Sequence, residues 1–62
     1  MKYCIWKRTP AGNNYYWQGA GWTADMNAAL VFEGMDAAKA EAMPAQKHSV
    51  SNVHIIEWKE TK

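Results

Sequence analysis

The sequence predicts an α+β fold, a small antiparallel sheet of three to four strands with one Ala-rich helix packed on one face, in the order ββ(β)αβ. Three observations lead to it. β-Branched and aromatic runs occupy residues 2–8 and 53–59, at opposite ends of the chain. A block of strong helix formers, residues 35–43, lies between them. Clusters of Gly, Asn, Ser and Pro separate these segments, as turns require. A chain of 62 residues has room for one domain, 1–62, and a domain of this size buries only about 60% of the surface its unfolded chain exposes.

Residues 2–8 read as the first strand, and Thr9-Pro10-Ala11-Gly12-Asn13-Asn14 as a hairpin loop. Tyr15-Tyr16-Trp17-Gln18 supplies the second strand, which Gly19-Ala20-Gly21 ends or bulges. Residues 22–32 admit two readings. Thr23 or Asp25 caps a short helical turn through Met26-Asn27-Ala28-Ala29, or Ala29-Leu30-Val31-Phe32 forms a short third strand. A strand at Leu30 to Phe32 is the preferred reading.

In the helix, Met35, Ala38 and Ala42, extended by Ala45, recur at helical spacing and define one face. Asp36 falls in the first turn, where the helix dipole favours a negative charge. Pro44 lacks an N–H and clashes with the carbonyl four residues back, so the regular helix is expected to end near Met43. Residues 46–52 then form a polar loop, and residues 53–59 the last strand.

The last strand is placed beside the first, because the other edge of the sheet would leave the most apolar strand exposed to aggregation. Alternation puts Tyr3, Ile5 and Lys7 on one face of strand one and Cys4, Trp6 and Arg8 on the other; it likewise divides Val53, Ile55 and Glu57 from His54, Ile56 and Trp58. An Ala-lined helix suits the aliphatic set Ile5, Val53 and Ile55. Trp6, Ile56 and Trp58 then need cover from elsewhere: a partner or a twin subunit, or the segment from Gly21 to Phe32 folded across them. Eight aromatic side chains exceed what one such helix covers, so some are expected at the surface.

Composition narrows the function classes. Seven basic against six acidic side chains leave a formal charge of +1, which argues against a nucleic-acid or membrane-surface partner. Cys4 is the only cysteine, which excludes an internal disulfide and suits a reducing compartment. His48 and His54 lack acidic or thiol neighbours at ligand spacing, so no metal is expected. The longest purely apolar run, residues 28–32, falls far short of the roughly 20 residues of a membrane span. The N-terminal segment lacks the apolar region of a secretory signal, which makes the cytoplasm the expected location.

No constellation specifies a reaction. Cys4 and His54 share a sheet face, but a nucleophilic pair also needs an orienting third group, and none is visible. Asp25, Glu33, Asp36, Glu41, Glu57 and Glu60 offer no acid–base pair. Gly19-Ala20-Gly21 runs into Trp22-Thr23-Ala24-Asp25, without the third glycine or the Lys-Ser/Thr pair of a phosphate loop. The expectation is a non-enzymatic binding module that needs no cofactor. Its candidate surface is Trp6, Tyr16 and Trp58 rimmed by Arg8 and Lys59, since Trp and Tyr anchor protein interfaces. The alternatives are a small homodimeric structural domain, or a single-stranded nucleic-acid or small-ligand binder using the same aromatics.

The order Lys2-Tyr3 through Ile5, Tyr16-Trp17, Gly21-Trp22, Ala28 with Phe32, Asp36-Ala37-Ala38, and Val53 with Ile55 resembles small accessory proteins encoded by phages and prophages. Among these are counter-defence factors such as anti-CRISPR proteins. The resemblance implies a class that binds a bacterial host protein and blocks its surface. It assigns no functional residue and no particular target.

Overall fold

In the computed structural model, which describes residues 1–59, the chain forms β1 (Tyr3–Arg8), β2 (Asn14–Trp17), β3 (Trp22–Thr23), a 3-10 turn (Met26–Ala28), α1 (Met35–Lys47) and β4 (Val53–Glu57). The strands make one antiparallel sheet in the order β3-β2-β1-β4. The expected architecture is present, with the last strand beside the first. Of the acidic residues, Glu60 lies outside the described residues.

The β1–β2 hairpin closes through Thr9, whose N–H donates to the Asn13 carbonyl at 2.9 Å and whose hydroxyl accepts from the Asn13 N–H at 3.1 Å. Gly12 sits in this loop at φ +89°, where a side chain would be strained. β1 and β4 pair from Tyr3↔Glu57 to Lys7↔Val53. The Trp58 N–H continues that ladder to the Lys2 carbonyl at 2.8 Å.

Between β2 and α1 the chain departs from the preferred reading. The third strand is Trp22–Thr23, paired with Trp17 and Tyr16, and not Leu30 to Phe32. Only Phe32 joins the sheet there, in a single bridge to Tyr3 with both backbone bonds at 2.8 Å. β2 already occupies this side of β1 further along, so little free edge remains for a longer strand. The other reading of this segment, a helical turn, is realised: the Asp25 carboxylate accepts from the Asn27 N–H at 2.9 Å and caps the turn.

The helix also runs further than expected, through Pro44 to Lys47. Proline costs one backbone bond there, but the turn beyond it is held by tertiary contacts. Ala45 is completely buried, and Gln46 anchors the loop that follows. Gln46 Nε2 donates to the Ser49 and Ser51 carbonyls at 3.2 and 3.0 Å, and its Oε1 accepts from the Val53 N–H at 3.0 Å. Residues 46 and 47 are therefore helix, and the loop begins at His48.

The core lies between α1 and one sheet face. Ile5, Trp17 and Ala45 form its buried centre, with Trp22, Phe32, Ala42, Val53 and Ile55 packed around it. The aliphatic set expected under the helix is there, joined by Trp17, which is only 1% exposed. Met35 is 38% exposed and lies outside the buried cluster, so the covering face of α1 is Ala38, Ala42 and Ala45. Trp17 donates from its indole N–H to Glu41 Oε2 at 2.9 Å, stacks on His48 at 5.6 Å and meets Trp22 edge-on at 5.1 Å. Trp22 donates in turn to the His48 carbonyl at 3.0 Å, which satisfies a group left free by the helix end.

Candidate functional site

The registers arrange the opposite sheet face in rows. Tyr16 lies opposite Thr23, Trp6 opposite Tyr16 and His54 opposite Trp6, so Thr23, Tyr16, Trp6 and His54 form one row across all four strands. Cys4 and Ile56 form the next pair. Lys2 and Trp58 follow, with the Lys2 ammonium 5.8 Å from the Trp58 ring centre.

The segment between β3 and α1 roofs one end of this face. The Met26 carbonyl accepts the Trp58 indole N–H at 3.1 Å, which ties the 3-10 turn to the residue that follows β4. Cys4 is completely buried although it points away from α1. Burial pushes its thiol above the usual range, which keeps it protonated. In the register Cys4 faces Ile56, while His54 faces Trp6. Cys4 therefore behaves as a small apolar core residue.

The other end of the face is open. Trp6 and Tyr16 are half-buried and His54 is exposed, with the Trp6 and His54 ring centres 5.6 Å apart and tilted by 42°. The indole N–H groups of Trp17, Trp22 and Trp58 all have acceptors within the chain. Among the described residues none accepts from Trp6 Nε1. Among the described residues no buried side-chain polar atom lacks a partner, so that N–H is open to solvent. A half-exposed indole with a free donor, flanked by a phenol and an imidazole, offers an apolar anchor and a hydrogen bond to a ligand's carbonyl.

The five residues singled out from the sequence separate under this geometry. Trp6 and Tyr16 are directly opposed. Arg8 is exposed on the same face at the end of β1, beside Asn14. Trp58 lies two pairs away from Trp6, under the Met26 turn. Lys59 is exposed past the end of β4 and does not join the row. Thr23 and His54 complete the row. Strand alternation alone puts His54 on this face, but its position opposite Trp6 follows only from the β1–β4 register.

Among the described residues no group of three or more His, Cys, Asp or Glu side chains is close enough to hold a metal ion, and no helix is long and apolar enough to cross a membrane. Compared with protein-family models, with curated proteins and with solved structures, the chain finds no match in any of the three.

Proposed function

We propose that the chain is a non-enzymatic protein-binding module that acts in the cytoplasm as an inhibitor of the phage counter-defence kind, anti-CRISPR-like in its mode of action. It covers part of the surface of a bacterial host protein with the row built on Trp6. The observation that carries this reading is the solvent-facing Trp6 indole N–H, set between Tyr16 and His54 while the other three indoles are satisfied internally. Buried Trp and Tyr residues with a polar rim supply most of the energy at protein interfaces, and here Arg8 and Thr23 stand at the margin of the row. The formal charge of +1 offers little of the phosphate attraction that a nucleic acid requires.

The test is affinity capture from bacterial lysate, followed by titration of the recovered protein against purified variants. The native chain and Lys39→Ala, on the exposed side of α1, should capture one protein in stoichiometric amount. Trp6→Ala should weaken binding at least about tenfold, and Trp6→Phe, which keeps a ring but no donor, should fall between. Circular dichroism checks that each variant is folded. No specific capture by the native chain, or undiminished binding by Trp6→Ala, would overturn the reading.

A further inference from the structure

β4 is an edge strand, and hydrogen bonding fixes which of its backbone groups face outward. In an antiparallel ladder alternate residues bond to one side and then the other. Thr9 bonds toward β2 and Tyr3 toward Phe32, so the odd residues of β1 face that side. The even residues therefore face β4, as the Trp58 N–H on the Lys2 carbonyl confirms. Their partners are His54 and Ile56, which leaves Val53, Ile55 and Glu57 with backbone groups directed outward. The Val53 N–H is taken by Gln46 Oε1. Among the described residues the N–H and carbonyl of Ile55 and of Glu57 are unpaired, on a strand that carries no proline and no lysine to blunt it.

We infer that this edge pairs antiparallel with the same edge of a second copy, about a twofold axis at Ile56, and joins two sheets into one. The free groups select both the occupant and the register. Axes at His54 or Ile55 would each need the Val53 N–H, which is already committed. An axis at Glu57 would set two carboxylates side by side, which is unfavourable. The axis at Ile56 pairs Ile55 of each copy with Glu57 of the other and uses all the outward N–H and carbonyl groups of both residues. The ladder then stops where Gln46 caps Val53.

Side chains agree with this register. Ile56 meets Ile56 of the second copy across the axis, in the close non-hydrogen-bonded geometry. His54 meets Trp58 of the second copy, which prolongs the Tyr16–Trp6–His54 row into the neighbouring subunit. The monomer also has reason to associate, because among the described residues the fully buried ones are only Cys4, Ile5, Trp17, Ala38 and Ala45, and small domains with thin cores commonly gain stability by association. This inference rests on the β4 backbone and stands whether or not the Trp6 row binds a host protein.

Sedimentation velocity across a concentration series should show the native chain at twice its 7.0 kDa mass. Glu57→Ala keeps the N–H and should remain a dimer. Glu57→Pro removes an N–H that the monomer does not use, at an edge-strand position that tolerates proline, and should raise the dimer dissociation constant at least about tenfold relative to Glu57→Ala without changing the circular dichroism spectrum. Hydrogen exchange on the native chain needs no variant: the Ile55 and Glu57 amides should be protected at high concentration and exposed on dilution. A native chain that stays monomeric to about 1 mM would overturn the inference. So would a dimer in which these two amides exchange freely.

Discussion

Replacing Gln46 with Ala removes three hydrogen bonds at the joint between α1 and β4, those to the Ser49 and Ser51 carbonyls and from the Val53 N–H. A typical intramolecular hydrogen bond contributes about 1 kcal/mol net, which sets an upper figure of about 3 kcal/mol. The joint is only partly buried, so the freed groups regain some hydration, and a loss of about 2 kcal/mol is expected. A domain of this length has a total stability of about 3–9 kcal/mol. The melting temperature should therefore fall by about 8–16 °C, with an unchanged denaturant m-value, in melts followed by far-UV circular dichroism. Gln46→Glu sharpens the test, because it keeps the acceptor for Val53 and loses both donors. Its carboxylate would face two carbonyls, which raises its folded pKa. Stability is then present below the unfolded value of about 4.3 and is lost as pH rises through the folded value. Gln46→Glu should be at least as unstable as Gln46→Ala at neutral pH and should recover on acidification. A Gln46→Ala variant within about 0.5 kcal/mol of the native chain would refute the view that this side chain holds the helix end.

Three further outcomes follow from the same contacts. Pro44→Ala restores the missing N–H toward the Ala40 carbonyl at an exposed position and should stabilise the domain by about 1–3 kcal/mol, less a few tenths for the freer unfolded chain; a lower melting temperature would contradict it. Trp17→Ala should cost about 3–5 kcal/mol, enough to unfold much of the population, while Glu41→Ala, which leaves the Trp17 indole without its acceptor, should cost about 1–3 kcal/mol; native-like melting of Glu41→Ala would show that this bond contributes nothing. Burial raises the Cys4 thiol, so stability should hold below the ordinary thiol value of about 8.5 and decline above it, as the unfolded chain ionises first. Cys4→Ala should flatten that decline, and a thiol reagent should react with the native chain only at the rate of opening.

Much of the fold was legible because its signals are local or alternate simply. The two-residue period of residues 3–8 and 53–57 assigned Ile5, Val53 and Ile55 to the helix side. The Asp25 cap was visible as one of two readings, since capping chemistry is local. What escaped depended on tertiary contacts. Pro44 carries a strong local stop signal, and only the burial of Ala45 and the anchoring by Gln46 override it. Trp17 read as one of several strand aromatics, yet its burial requires Glu41, Trp22 and His48, three contacts from separate elements. The candidate surface was legible as a face but not as a row. Trp58 lies on that face and is spent on the Met26 carbonyl, so the open part narrows to Trp6, Tyr16 and His54.

The pairing of Tyr3 with Glu57 places the first strand and the last side by side, with β4 at the edge of the sheet. Bringing them together closes most of the chain into a loop, and that entropy must be overcome before the contacts reward it. On the ribosome β1 can find β2 early, but Cys4 and Ile5 keep an open flank until Glu57 has emerged. The interval before β4 docks is when the nascent chain is most exposed to proteases and to aggregation.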